Sequence, residues 1–253
     1  MAQPRNSLLT ARDLRVEWQV SESAAGAETA AASFIAQCLR DAVRQRGLAT
    51  LAVSGGRSPW GMFERLAGLS VEWDCVHVLQ VDERIVPLDH EARNWSQFLE
   101  GSLAERVPRQ NRHPMPVEED AELAVGRYSA TLLKLAGVPP QLDVVHLGLG
   151  QDGHTASLFA DDALLEDRRH WVGVSRAYEG HRRLTLTLPV LNSARRIAWF
   201  VVGTDRREVL GRLRDGDKGI VAAHVQRDSA VVFTDVEPAL TGRRDNCYPR
   251  GTA

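Results

Sequence analysis

Short apolar runs alternate with stretches of helical periodicity along this chain, and that alternation restricts its fold more than any other feature. Leu51 to Val53, Val76 to Val81, Val144 to Leu147 and Ile197 to Val202 are nearly continuous in apolar residues, as strands covered on both faces are. Ala27, Ala31, Phe34, Cys38 and Ala42 recur every three or four residues and predict a helix over Ala24 to Arg46, ended by Gly47. Ala121, Ala124, Tyr128, Leu132 and Leu135 predict another over Asp120 to Ala136, stopped by Gly137 and Pro139-Pro140. Strands alternating with helices imply a largely parallel sheet flanked by helices, an α/β Rossmann-like architecture with right-handed crossovers. Val231 to Phe233 adds a late strand, and Pro108 to Pro116 reads as a surface loop. Arg182 to Thr187 alternates as a strand does, its arginines facing either the crevice or solvent. No linker or repeat divides the 253 residues, so residues 1–253 read as a single domain.

Composition narrows the partners. Hydrophobic residues at 43% and charged residues at 25% give the balance of a globule and exclude disorder, collagen and coiled coil. No apolar run nears the ~20 residues of a membrane span. The polar segment Met1 to Val20 holds no apolar signal core, so a cytoplasmic protein is expected. A formal net charge of −2, with no basic stripe carrying aromatic platforms, argues against nucleic acid. Lys134 and Lys218 are the only lysines among 31 basic residues, so any anion site is built mainly from guanidinium forks. Cys38, Cys75 and Cys247 lie far apart and outline neither a disulfide framework nor a zinc site.

The residues that follow each strand carry the chemistry. Val53 runs into Ser54-Gly55-Gly56-Arg57-Ser58-Pro59, and Val81 into Asp82-Glu83-Arg84. Leu147 runs into Gly148-Leu149-Gly150-Gln151-Asp152-Gly153-His154, and Val202 into Gly203-Thr204-Asp205-Arg206. In an open parallel sheet these ends share one edge, where such folds bind ligands. The Ser54 to Pro59 segment fits an anion cradle, with Ser58 capping the next helix and Pro59 in its first turn. It fits a plain strand-to-helix turn as well. Arg84 can clamp a phosphate or close an ion-pair cluster, and Arg206 can be a second phosphate ligand or a solvated helix start. Gly148 to Gly153 matches G-x-G-x-x-G, yet the match falls late in the chain and includes Asp152. A dinucleotide site needs no titratable pair there. Asp152 and His154 instead suit proton transfer at neutral pH, the carboxylate orienting the ring. The other seven histidines read as structural.

Taken together these residues resemble the 6-phosphogluconolactonase family, whose fold is similar to that of glucosamine-6-phosphate deaminase. The resemblance runs from about Ala24 to Asp235. It rests on Ser54-Gly55-Gly56, on Asp82-Glu83-Arg84 with Val86-Pro87 and Asn94, and on Arg183-Leu184-Thr185-Leu186. Its most specific part is Gly148-x-Gly150-x-Asp152-Gly153-His154-Thr155-Ala156-Ser157-Leu158-Phe159. The chain departs from the family's pattern at Arg57 and Ser58, at Ala160, where a proline is usual, and at Arg206, where a lysine is usual.

The resemblance implies hydrolysis of 6-phospho-D-glucono-1,5-lactone without metal or organic cofactor, by a monomer or small homo-oligomer. His154 is then the general base and Asp152 its orienting partner. Ser54, Gly55, Gly56, Arg57, Asp82, Arg84, Asn94, Gly150, Gly153, Arg183 and Arg206 are the expected substrate contacts. Two other functions stand beside it: an amino-sugar-phosphate deaminase or isomerase, and a non-catalytic sugar-phosphate-binding module. The deaminases carry acidic and amide groups where Thr155 to Phe159 stands here.

Overall fold

The computed structural model describes residues 16–56 and 58–240. Its first half runs β1 (Glu17–Val20), α1 (Ala24–Arg46), β2 (Ala49–Val53), α2 (Trp60–Ala67), β3 (Val76–Gln80), β4 (Asp82–Arg84), α3 (Asn94–Glu100), α4 (Ser102–Arg106) and β5 (Arg112–His113). The second half runs α5 (Ala121–Ala136), β6 (Val144–Leu147), β7 (Val172–Val174), β8 (Arg183–Leu186), α6 (Leu188–Ser193), β9 (Arg196–Phe200), α7 (Arg207–Asp215) and β10 (Ala230–Thr234).

The two long helices form where their spacing predicts. Ser23 caps α1 by accepting the Gly26 amide, and Gly47 ends it at φ 78°, a left-handed turn suited to glycine. Its alanine-rich face, with Ile35 and Leu39, buries against one side of the sheet beside α2. Asp120 caps α5, which buries Ala124, Tyr128 and Leu132 on the other side. Every residue of β2 and of β6 is buried, as two-sided coverage requires.

Seven strands pair in the order β1-β10-β9-β6-β2-β3-β5, with every pairing parallel. From β2 the chain moves outward through β3 to β5, returns to β6 on the opposite side of β2, and continues through β9 to β10. The order therefore reverses between β2 and β6, and connections leave their C-terminal ends in opposite directions. That divergence opens a crevice in doubly wound sheets.

Several local expectations need correction. The strand predicted to end at Val81 ends at Gln80, and Asp82–Arg84 is itself a strand. It belongs to a second, antiparallel sheet ordered β4-β8-β7, with Arg84 directly opposite Arg183. The strand expected over Arg182 to Thr187 forms as β8, with Arg183 buried on the crevice and Arg182 exposed. Pro108 to Pro116 is no simple loop: Arg112–His113 adds an edge strand beside β3, and Met115 is buried. Ser58 does not cap α2; Pro59 occupies the cap position without a side-chain hydrogen bond.

The end of the sheet opposite the crevice is held by Asp143. Its buried carboxylate accepts the Thr50 amide at 2.8 Å and the Thr50 hydroxyl at 3.0 Å, and pairs with Arg46 and Arg195. This joins the end of α1 to the starts of β2 and β6. Asp143→Ala leaves two buried Thr50 donors without their acceptor, so a loss of about 3 kcal/mol in urea unfolding is expected. A loss under about 1 kcal/mol would class the cluster with surface ion pairs.

Candidate active site

One cavity of about 490 Å³ opens at the C-terminal edge, where the strand order reverses. From the loop after β2 it is lined by Ser54, Gly55 and Gly56, and from β4 and α3 by Asp82, Arg84 and Asn94. The turn after β6 contributes Gly150, Asp152 and His154, β8 contributes Arg183, and the turn before α7 contributes Arg206. Gly153 does not line it. That glycine holds φ 86° behind the turn, where a Cβ would lie 2.5 Å from Ile220. Arg57 lies outside the described residues.

The turn after β6 builds a dyad from two residues of one loop. Asp152 Oδ1 accepts the His154 amide at 3.1 Å and lies 2.6 Å from His154 Nδ1. The proton on that edge of the ring therefore belongs at Nδ1, leaving Nε2 with a lone pair. Burial alone would raise the Asp152 carboxyl, but the His154 amide and imidazole outweigh it and hold it below its ordinary value. Gly150 makes room for this pair: a Cβ there would sit 2.2 Å from His154 Nδ1 and 2.6 Å from Asp152 Oδ1. The ring packs against Phe159 and Tyr178, with centroids at 5.1 and 5.3 Å.

Arg84 and Arg183, opposite one another in the β4–β8 pair, bring two guanidiniums to the same cavity. Arg84 Nη1 donates to the Ala92 carbonyl at 2.7 Å and to Asn94 Oδ1 at 3.2 Å. Arg183 is buried, and among the described residues its Nε and Nη2 find no hydrogen-bond acceptor. Its nearest carboxylate, Glu179, is 3.6 Å from Nη2. Burial, with Arg84 beside it, lowers the Arg183 guanidinium below its usual value against the pull of Asp82 and Glu179. Like charges placed directly opposite in an antiparallel pair destabilise it, and buried donors without acceptors add to that cost. An anion between the two forks relieves the repulsion of the like charges.

The supporting shell explains why the sequence reads as it does. Glu83 is fully buried and accepts the amides of Arg84, Asn94 and Trp95 and the Gln80 side chain, all within 3.0 Å. It organises the loop and is not a cavity residue. Asp82 accepts the Ser157 hydroxyl at 2.5 Å, tying the segment after His154 to β4. Gly55 is needed because Asn94 lies against it; a Cβ would be 2.2 Å from Asn94 Cγ. Ser54 spends its hydroxyl on the His146 carbonyl at 3.0 Å, and its amide faces His146 Nδ1 at 3.3 Å. Sequence reasoning missed Gln151, Asp205 and Tyr178 on the cavity wall. Gln151 donates to Asp205 Oδ2 at 2.7 Å, and the same oxygen is 3.5 Å from Arg206 Nε. Only the Tyr178-Glu179-Gly180 turn ahead of a strand could have signalled the tyrosine.

A cavity that holds an Asp–His dyad together with paired arginines suits an enzyme acting on a phosphorylated small molecule. The sequence matches the family described as glucosamine-6-phosphate isomerases/6-phosphogluconolactonase over residues 22–233, and the chain belongs to that family. A 6-phosphogluconolactonase of Synechocystis sp. is 37% identical over 180 residues, covering 68% of this chain and 74% of that protein. One from Mesorhizobium japonicum is 37% identical over 184 residues, covering 70% and 76%. The crystal structure of a 6-phosphogluconolactonase from Shewanella baltica superposes with a TM-score of 0.77 at 29% identity, over 87% of this chain and 97% of that one. Among the described residues no helix is long and apolar enough to cross a membrane.

His146 sets an acid limit on the site. Burial pushes it down to about 3 from an ordinary 6.5. Between those values the unfolded chain binds a proton that the folded protein refuses, so stability falls as pH drops from 6.5 toward 3. His146→Asn keeps an acceptor for the Ser54 amide and is expected to flatten that slope by up to ~1.4 kcal/mol per pH unit in denaturant titrations. An unchanged slope would mean that His146 is not the group responsible.

Proposed function

We propose that this protein hydrolyses 6-phospho-D-glucono-1,5-lactone to 6-phospho-D-gluconate, a step of the oxidative pentose phosphate pathway. The observation that carries the reading is one cavity holding both the Asp152–His154 pair and the opposed Arg84 and Arg183. Its family membership and the 6-phosphogluconolactonases it resembles support the same activity.

The chemistry follows from the geometry. His154 Nε2 takes a proton from water, whose oxygen bonds to the lactone carbonyl carbon. Asp152 holds the ring and stabilises the imidazolium that forms. The tetrahedral adduct collapses, the bond from that carbon to the ring oxygen breaks, and His154 returns the proton to the departing oxygen. Charge developing on the carbonyl oxygen needs donors, which backbone amides of the glycine turns can supply. Arg84, Arg183 and Arg206 hold the 6-phosphate together with the Ser54 to Gly56 loop, whose Gly55 and Gly56 amides bond no acceptor among the described residues. Fixing the phosphate fixes where the carbonyl meets the base.

The test is hydrolysis of freshly generated lactone, with the spontaneous rate subtracted. His154→Ala is expected to lower kcat by about 100-fold or more. Arg84→Ala is expected to raise KM about tenfold with a smaller effect on kcat. Full activity in a folded His154→Ala variant would remove the mechanism. Ammonia release from glucosamine 6-phosphate, without lactone opening, would move the chain to the isomerase branch. Phosphosugar binding without any turnover would make it a binding module.

A further inference from the structure

The carboxylate of Asp205 lies between the base loop and the anion site. It sits in the turn joining β9 to α7, and that turn is fixed at both ends. The Gly203 amide donates to Asp235 Oδ1 at 2.9 Å, and the Gly203 carbonyl accepts the Arg206 amide at 3.0 Å. Gly203 takes φ 102°, and a Cβ there would meet Asp205 Oδ1 at 2.7 Å, so the backbone leaves room for this side chain. A carboxylate just ahead of a helix commonly caps it. Asp205 does not: α7 starts without a side-chain cap, and among the described residues Asp205 accepts from no backbone amide. Its one hydrogen bond there comes from Gln151, the neighbour of Asp152, at 2.7 Å. The oxygen that takes this bond is also 3.5 Å from Arg206 Nε, longer than the ~2.8 Å of a charge-assisted hydrogen bond. Gln151, Asp205 and Arg206 all line the cavity.

We infer that Asp205 sets the affinity of the anion site: its carboxylate competes with the phosphate for Arg206, and Gln151 limits that competition by holding the carboxylate toward the base loop. The inference rests on the phosphosugar reading above. The 6-phosphate takes no part in ring opening, so it is gripped equally in the lactone and in the product. Binding of that uniform kind lowers KM without speeding the chemical step, and a tighter grip delays the departure of product. Arg84, Arg183 and Arg206 together hold an anion firmly, and a carboxylate beside one of them loosens the hold. Asp82 and Asp152 are committed elsewhere, to the Ser157 hydroxyl and to His154. The Asp205 side chain is 53% exposed and that of Arg206 26%. An ion pair so open to water is weak, and a phosphate dianion that meets the guanidinium with two oxygens displaces it.

Calorimetric titration with 6-phosphogluconate and with inorganic phosphate tests this. Asp205→Asn keeps an oxygen for Gln151 and removes the charge; it is expected to tighten both ligands about fivefold at low salt, a gain that shrinks as ionic strength rises. Gln151→Ala frees the carboxylate to close on Arg206 and is expected to weaken both about threefold. In the double variant the Gln151 change should have no further effect, because it acts only through the carboxylate. KM for the lactone should move in the same directions. Equal or weaker binding in folded Asp205→Asn would overturn the inference. So would a Gln151→Ala loss that persists in the double variant, or a wild type that binds neither ligand. Lactone opening by the wild type, with affinities unmoved in the variants, would defeat this inference alone. The expected shifts in phosphate affinity in a protein that opens no lactone would defeat the hydrolase reading alone.

Discussion

Two hydrogen bonds from Ser54 to His146 decide where this molecule opens. Backbone pairing of β2 with β6 covers Leu51 and Ala52 opposite Val144 and Val145, and the Ser54 amide and hydroxyl then turn to the ring and carbonyl of His146. A side-chain bridge replaces the ladder where the two strands part. The glycine loop after β2 goes one way and the loop bearing Asp152 and His154 goes the other, yet both start from a fixed point. A protonated His146 would offer the Ser54 amide a donor in place of an acceptor, so burial of the neutral ring is part of how the crevice keeps its shape.

The second sheet depends on a different compromise. Asp82, Glu83 and Arg84 are too polar to be buried on hydrophobic grounds, and they are held in place because nearly every polar atom finds a partner. Glu83 gathers three amides and the Gln80 side chain, and it raises its own carboxyl by being buried while those donors pull it back. Arg93, 1% exposed, lies 3.4 Å from it and reaches Glu118 and the Val86 carbonyl. Against that satisfied framework the open donors of Arg183 stand out. Arg93 leaves only its Nε without a hydrogen bond, whereas Arg183, a cavity residue, leaves both Nε and Nη2.

How much of this was legible in the sequence follows from the range of the interactions. The long helices and the central strands announce themselves through periodicity and continuous apolar runs, because they bury one stripe or both faces. The glycine turns could be placed from the strands they follow. Strand β4 could not, since a three-residue polar strand is stabilised by partners distant in sequence. Strand β5 has only two residues, and β1 lies in a polar segment that carried no expectation of structure. Ser58 followed by Pro59 resembled a capping pair, but the helix begins one residue later than that pattern assumes. Among the site residues, Asp152 and His154 are close in sequence and were paired on that basis. The pairing of Arg84 with Arg183 arises from a register between strands about a hundred residues apart, which no local pattern encodes.

The cations around the cavity are guanidinium groups, supplied by Arg84, Arg183 and Arg206. An ammonium in the same place would lose its proton as the medium turned alkaline, and its hold on a phosphate would fade with it. A delocalised cation keeps its charge across that range. In the proposed reaction the grip on the anion would thereby be uncoupled from alkalinity, while the imidazole that handles the proton would stay free to answer to it.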